Sequence, residues 1–292
     1  MYSVILLCTG GTETLSQKLV NSVYSSMDGQ NLSWLCDDEA VCFDVEKKST
    51  AHYEIWSQLQ HIKIDMVFQK KENHFKSLLL ADMDSTMIEQ ECIDELADMC
   101  GVGSEVKKIT TRAMNGELGF HDALNERVSL LAQCPTSVVE QVLEKRITLR
   151  SGGKTLVSTM KANGAYTALV SGGFTAFSIP IGVNLGFDEQ NANILVEENG
   201  VFTGKVAEPI LGKNEKVNQL NRLVKERGLM HSDVLAVGDG ANDLGMLEIA
   251  GIGVAMHAKP IVAEKCDIVI NHCDLSSLLY LQGYKKEDFV ST

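Results

Sequence analysis

The stretch Ser77-Leu78-Leu79-Leu80-Ala81-Asp82-Met83-Asp84-Ser85-Thr86 decides how the rest of the chain is read. A small apolar run is followed by two carboxylates, two positions apart. The run predicts a short buried strand over 77–84 that gives way to a loop. Side chains alternate faces along a strand, but where it ends both acids can turn into one site. A carboxylate pair there can divide labour, one as nucleophile or metal ligand and the other as acid and base. The plainer alternative is a capped turn before a helix, because Asp, Ser and Thr favour such places. The pentapeptide 82–86 by itself leaves both readings open.

The bulk of the chain narrows the choice. Its 292 residues suffice for one large domain or two to three small ones, and 45% hydrophobic residues is ordinary for a globular protein. No apolar run is long enough to span a bilayer. The start, Met1 to Cys8, lacks a basic n-region and reads as a strand, so the protein is expected to be cytoplasmic. Eight cysteines form no CxxC pair and do not alternate with His at zinc-ligand spacing. Buried reduced thiols are the expectation. With 26 basic against 39 acidic residues, the net charge of −13 argues against nucleic acid or an anionic membrane as partner. It leaves room for a small anionic substrate and for a divalent cation in a carboxylate-rich pocket.

Residues 1–72 read as strand, helix, two strands, helix, strand: Tyr2–Cys8, Leu15–Val23, Leu32–Cys36 with Ala40–Val45, Tyr53–Ile62 and Ile64–Phe68. That order predicts a small α+β domain of ferredoxin-like topology. The charged segment Lys70-Lys71-Glu72-Asn73 serves as a linker. Residues 87–150 read as all-helical. Ile88, Cys92 and Leu96 repeat at four-residue spacing until Cys100-Gly101, and Phe120, Leu124, Arg127, Val128 and Leu131 mark another helix, closed by Cys134-Pro135. Ser137 with Glu140 has the pattern of a capping box.

From 151 onward strands and helices alternate. Thr167–Val170 is a strand ending in Ser171-Gly172-Gly173. Asn199-Gly200 signals a hairpin between 194–197 and 201–206. Lys216–Glu226 is helical, and Val234–Val237 is a strand ending in Gly238-Asp239-Gly240. Gly253–Met256 and Ile268–Ile270 are further strands. The pattern is α/β, a doubly wound, parallel, Rossmann-like sheet. Residues 87–150 are inserted after its first strand and form a helical cap. The expected domains are therefore 1–72, the core 76–86 with 151–292, and the cap 87–150.

Ligands of open α/β sheets bind at the carboxyl ends of the strands. Three strands here end in polar turns: Asp82–Thr86, Ser171–Gly173 and Gly238-Asp239-Gly240-Ala241-Asn242-Asp243. Glycines let backbone N–H groups approach a phosphate, and a Ser hydroxyl adds a donor. Each could also be merely a tight strand-to-helix turn. Asp82, Asp84, Asp239 and Asp243 would put four acids near one strand edge, where unpaired they repel. A hard divalent cation such as Mg2+ resolves this, with Lys213 or Lys216 offsetting the rest. Gly152-Gly153-Lys154-Thr155 lacks the first glycine of a Walker motif and more simply starts a helix.

These three motifs in this order, with a helical Lys before the last, resemble the haloacid dehalogenase superfamily of phosphatases, and within it the members that hydrolyse phosphoserine. The resemblance covers residues 76–292. It implies that Asp82 is the nucleophile forming an aspartyl-phosphate, and that Asp84 protonates the seryl leaving oxygen and then activates water. Asp82, the backbone carbonyl of Asp84 and Asp239 would hold Mg2+. Ser171, Gly172 and Lys216 would bind the phosphoryl group, Asp243 would orient Lys216, and Asn242 would support the site. In the cap, Glu91 would take the substrate ammonium, Arg127 its carboxylate, and Met114 and Phe120 would line the pocket. Without the resemblance, Glu91 reads as a solvated helical Glu, Arg127 as a snorkelling edge residue, and Met114 and Phe120 as cap core. The implied partner is a small molecule, O-phosphoserine, in the last step of serine biosynthesis.

Some relatives carry an ACT-like amino-acid-binding domain of the N-terminal strand order. Thr9-Gly10-Gly11-Thr12 is the one Gly-rich candidate loop there, and a structural or dimerising role, as in a homodimer, is left open. The rival readings are a phosphatase for another small phosphomonoester, a receiver-like signalling protein, and an amino-acid-binding regulator. Asp84 and the cap speak against the receiver, because they serve turnover and water exclusion.

Overall fold

A computed structural model of the chain describes residues 1–9, 15–48, 52–71, 74–114, 117–212 and 214–291. Most of the candidate loop Thr9–Thr12, and Lys213, lie outside the described residues, as does the side chain of Met114.

The N-terminal module runs β1 (Tyr2–Leu7), α1 (Gln17–Ser26), β2 (Gln30–Cys36), β3 (Ala40–Val45), α2 (His52–His61) and β4 (Asp65–Lys70). The sheet order is β2-β3-β1-β4, with β1 antiparallel to both neighbours. This is the ferredoxin-like arrangement the strand order predicts. Ser16 caps α1 by accepting from the Leu19 amide at 3.3 Å. Alternate residues Val4 and Leu6 of β1 meet Val20 and Val23 of α1, with Phe43 and Phe68 from the flanking strands.

The second sheet is parallel, in the order β12-β11-β10-β5-β6-β7. Strand β5 (Leu78–Ala81) is buried at all four positions, as a strand covered on both faces must be. Between it and α7 (Gly153–Ala162) stand α3 (Cys92–Met99), α4 (Gly103–Met114), α5 (Phe120–Ser129) and α6 (Val138–Lys145). The chain continues through β6 (Tyr166–Phe174), α8 (Thr175–Leu185), β7 (Glu189–Asn193), the hairpin β8 (Leu195–Glu198) and β9 (Val201–Val206), and α9 (Glu215–Glu226). It ends with β10 (Val234–Gly238), α10 (Leu244–Ile249), β11 (Ile252–Met256), α11 (Pro260–Ala263), β12 (Ile268–Ile270) and α12 (Ser277–Leu281). The Asn199-Gly200 turn takes positive φ at both residues, as a two-residue hairpin requires.

The residues fall into two compact units. One comprises 1–79, 151–167 and 224–292. In it Asp65, fully buried at the start of β4, accepts three backbone amides from the segment after β12: Asn271 at 3.0 Å, His272 at 2.9 Å and Cys273 at 3.0 Å. Gln69 adds a bond to the Leu281 carbonyl at 2.7 Å. These bonds dock the N-terminal sheet on the β12 end of the unit. The other unit comprises 80–150 and 168–223 and holds the inserted helices.

Four sequence expectations change. Ile88 is not on the first cap helix: it pairs with Leu149 in an isolated antiparallel bridge. The two linkers to the inserted helices bind each other there, which overrides the helical spacing, and α3 begins only at Cys92. Ser137 makes no capping bond. Its own backbone is already helical, because turn bonds start earlier, at Val138 N to Pro135 O and Val139 N to Thr136 O. Ser171-Gly172-Gly173 is not a turn, since β6 runs extended through it to Phe174. Finally, Cys100 and Cys134 form a disulfide across a Cα–Cα distance of 5.8 Å, so not every thiol is free. The 34-residue separation carries no spacing signal, and only the packing of α3 against the 131–135 turn brings the pair within reach.

Asp65→Ala would leave three N–H groups without this acceptor, that of Cys273 in a buried residue. It is expected to destabilise the protein by about 3 kcal/mol in urea unfolding, and a loss under about 0.5 kcal/mol would contradict the docking role. Alkylation in denaturant without reductant should count six thiols, and eight after reduction. Eight in both states would contradict the cap disulfide.

Candidate active site

Asp82 is the first residue beyond β5 and only 5% exposed. Its Oδ1 lies 2.5 Å from Nζ of Lys216, which is itself 3% exposed. Lys216, Leu220 and Leu223 are the buried residues of α9, at i, i+4 and i+7. The apolar stripe of the helix thus begins with a lysine, and packing carries the ammonium to Asp82. Two buried charges hold each other at the strand end.

Beyond Asp82 the chain turns sharply. The Met83 carbonyl accepts the amides of Thr86 at 3.3 Å, Met87 at 2.9 Å and Ile88 at 3.1 Å. Ser85 takes a left-handed φ of +56°, uncommon for a residue with a Cβ. Asp84 is half-buried and fixed on both oxygens: Oδ1 accepts the Cys92 amide at 2.8 Å and Oδ2 the Ser171 hydroxyl at 3.0 Å. Ser171 in turn accepts the Gly173 amide at 2.8 Å. A Cβ on Gly173 would stand 2.8 Å from Asp84 Oδ2, so only glycine lets β6 approach this carboxylate. Beside these charges, burial and then Asp84 hold the Cys92 thiol well above its usual range.

The cap residues converge on the same acids. Glu91 stands at the N-cap of α3 rather than inside a helix, exposed, with its Oε1 accepting the Ser85 hydroxyl at 3.0 Å. The Phe120 ring is 3.7 Å from where a Gly172 Cβ would be, so it faces β6. Arg127 donates through Nε to the Ala123 carbonyl at 3.1 Å. Burial lowers the proton affinity of its guanidinium, and Asp94, Glu91 and Asp84 push it back up. Met114 ends α4, and its side chain is outside the described residues.

In the other unit, Asp239 follows the buried strand β10. Asp243 is fully buried, and its Oδ2 accepts the amides of Asp239 at 3.1 Å and Gly240 at 2.8 Å, which clamps the turn. A Cβ on Gly238 would come within 2.4 Å of Asp243 Cγ, and one on Gly240 within 2.4 Å of Asn242 Oδ1. Lys259 brings its ammonium to 3.9 Å from Asp239 Oδ2. Asp239 and Asp243 are both buried here, and Asp82 is buried in its own unit. An all-carboxylate set suits a hard divalent cation.

Four residues escaped the sequence reading. Asn193 is buried at the end of β7, donating to the Gly172 carbonyl at 2.9 Å and accepting the Leu211 amide at 2.7 Å. It joins β6 to the chain entering α9. Arg150 binds the carbonyls of Ser85 and Thr86. Asp94 has a buried Oδ1 with no hydrogen-bond partner, and burial raises its proton affinity against the pull of Arg127 and Lys107. Its three-residue spacing from Glu91 on one helix face was the available signal. Lys259 offers none, because only the fold brings it near Asp239.

The model for haloacid dehalogenase-like hydrolases matches residues 79–248. A phosphoserine phosphatase of Archaeoglobus fulgidus is 42% identical over 223 residues, which is 76% of this chain and 64% of that one. The chain thus spans just under two thirds of that relative's length. A crystal structure of a HAD family hydrolase from Salmonella enterica serovar Typhi superposes with a TM-score of 0.86 at 27% identity, covering 96% of this chain and 98% of that one. A structure described as a phospho-aspartyl intermediate analogue of phosphoserine phosphatase is 43% identical, with a TM-score of 0.65 and coverage of 70% and 98%.

Lys216→Met would strand the Asp82 carboxylate in a buried site. Stability measured by urea unfolding at neutral pH should fall by about 3 kcal/mol. The double variant Asp82→Asn with Lys216→Met should recover most of that loss, and full additivity of the two losses would contradict the coupling.

Proposed function

The chain belongs to the haloacid dehalogenase-like hydrolases, and from that membership we propose that it hydrolyses O-phospho-L-serine to L-serine and phosphate through an aspartyl-phosphate. The observation that carries the reading lies within one unit. A buried Asp82–Lys216 pair, an Asp84 fixed by Ser171, and an Arg127 faced by Asp84, Glu91 and Asp94 meet at the ends of β5 and β6. The first two suit phosphoryl transfer, which asks for in-line positioning and charge neutralisation. The third suits a substrate that also carries a carboxylate, because a guanidinium binds one bidentately.

In this reading an Asp82 oxygen attacks phosphorus and the bond from phosphorus to the seryl oxygen breaks, with the proton of Asp84 passing to that oxygen. Asp84 then takes a proton from water as the water oxygen attacks phosphorus and the Asp82–phosphorus bond breaks. Phosphate leaves, and both acids return to their starting states. Asp84 is held for both transfers by the Cys92 amide and the Ser171 hydroxyl. Lys216 and Ser171 supply cationic and neutral donors to the phosphoryl oxygens. Asn242 and Asp243 support the turn that carries Asp239.

The residues present fit a divalent cation, since Asp82 and Asp239 are buried carboxylates and a hard cation takes oxygen ligands. Asp82, Asp239 and the backbone carbonyl of Asp84 would hold Mg2+, which would neutralise the transferring phosphoryl group. Residues 87–150 act as the cap that selects substrate, 76–86 with 151–292 as the catalytic core, and 1–72 as a docked ACT-like module. No helix among the described residues is long and apolar enough to cross a membrane.

Phosphate release should be Mg2+-dependent and faster with phosphoserine than with phosphothreonine, phosphoethanolamine or sugar phosphates. Equal kcat/KM across that panel would sink the substrate assignment. Asp82→Asn should abolish turnover, and Arg127→Ala should raise KM for phosphoserine about 10-fold or more while leaving phosphoethanolamine almost unaffected. An unchanged preference in Arg127→Ala would refute its role.

A further inference from the structure

The residues that join the cap to the core do more than connect. The outgoing linker 87–90 and the returning linker 148–150 form a short antiparallel ladder. Glu89 N donates to Thr148 O at 3.0 Å, Arg150 N to Met87 O at 2.9 Å, and Thr148 N to the Gln90 side chain at 2.9 Å. At its foot the Arg150 guanidinium reaches back into the catalytic loop. Nη2 donates to the Ser85 carbonyl at 2.8 Å and Nε to the Thr86 carbonyl at 3.1 Å.

The residue it holds is the strained one. Ser85 sits at φ +56° although it carries a Cβ, and such conformations persist only where their surroundings over-determine them. Each polar group of Ser85 is pinned: its amide to Gln90 O at 3.1 Å, its hydroxyl to Glu91 at 3.0 Å, its carbonyl by Arg150. The φ of Ser85, with the ψ of Asp84, fixes the peptide between them. It therefore sets where the Asp84 carbonyl points and from which direction its carboxylate meets Ser171 and Cys92.

We propose that Arg150 is a positioning residue for Asp84: by binding the Ser85 and Thr86 carbonyls from the returning cap linker, it holds Ser85 left-handed and ties the cap to the acid–base group. The inference rests on Asp84 acting as acid and base in the reaction above. Arg150 touches no reacting atom, so its effect belongs in kcat and in the order of the loop. Glycine reaches positive φ without strain, so a glycine at position 85 should need the guanidinium less.

The test compares Arg150→Ala and Arg150→Lys in two parents, the native chain and Ser85→Gly, with Mg2+ and phosphoserine. In the native parent Arg150→Ala is expected to lower kcat about 30-fold with KM within about threefold, and Arg150→Lys to lose less. In the Ser85→Gly parent the same replacement should cost under about fivefold. Equal fold-losses in both parents, or an unchanged kcat in the native parent, would overturn the proposal. Hydrogen exchange on metal-free protein gives a second readout that needs no turnover. Peptides covering 82–90 should exchange faster in Arg150→Ala and Arg150→Lys than in the parent, and unchanged protection would overturn the proposal as well. Failure of the parent to hydrolyse phosphoserine would instead count against the substrate assignment, and leaves the exchange result to judge Arg150.

Discussion

The buried contact between Asp82 and Lys216 is the constraint around which the catalytic unit is organised. Two charges out of water repel the core unless each is compensated at close range. A four-residue strand buried at every position delivers the carboxylate. A helix whose buried stripe begins with a lysine delivers the ammonium. Neither element would be comfortable alone, because β5 would end in a desolvated acid and α9 in a desolvated base. Their meeting allows a charged carboxylate to sit dry, and a dry site is where the proposed phosphoryl transfer would gain most from fixed charges.

The second requirement is that Asp84, two residues on, be placed independently of Asp82. A continuing strand would send the two side chains to the same face in a fixed relation. The chain instead folds three amides onto the Met83 carbonyl and passes through a left-handed Ser85. Asp84 then takes its bearings from α3 and β6 through the Cys92 amide and Ser171. Glycine at 173 lets β6 come close enough for that bond. The pair is therefore built from one segment of chain but oriented by separate elements, which lets two neighbouring carboxylates do different chemistry.

The legible parts of the sequence were those set by local chemistry. Strand and turn signals gave the N-terminal sheet, the second sheet without its edge strand β7, the Asn199-Gly200 hairpin and the helix that begins at Gly153. Lys216 was legible only through the family resemblance, and its burial with Leu220 and Leu223 belongs to the fold. What failed to show depended on partners far along the chain. Ile88 has helical spacing, yet the returning linker claims it. Ser171-Gly172-Gly173 has turn composition, yet the sheet extends it. Cys100 and Cys134 are 34 positions apart with no motif, and Arg150 sits 65 residues from the carbonyl it binds best. Pairings of that kind are set by topology, which no window of sequence contains.

The charges of the second unit also bear on how a substrate would be chosen. Asp82, Asp84, Glu91 and Asp94 supply carboxylates around the site, facing the cations Lys216, Arg127, Lys107 and Arg150. A dianionic phosphate would have to enter beside these carboxylates. Coulomb repulsion at such distances is worth several kcal/mol in a partly desolvated site. A divalent cation held as proposed above would offset that repulsion. Protonation of Asp84, required of a general acid, removes one further charge. The acids that remain in the cap, Glu91 and Asp94, then favour a ligand that carries its own ammonium, while Arg127 favours one that carries a carboxylate. A phosphorylated amino acid would satisfy both, and a simple phosphomonoester would offer Arg127 no carboxylate.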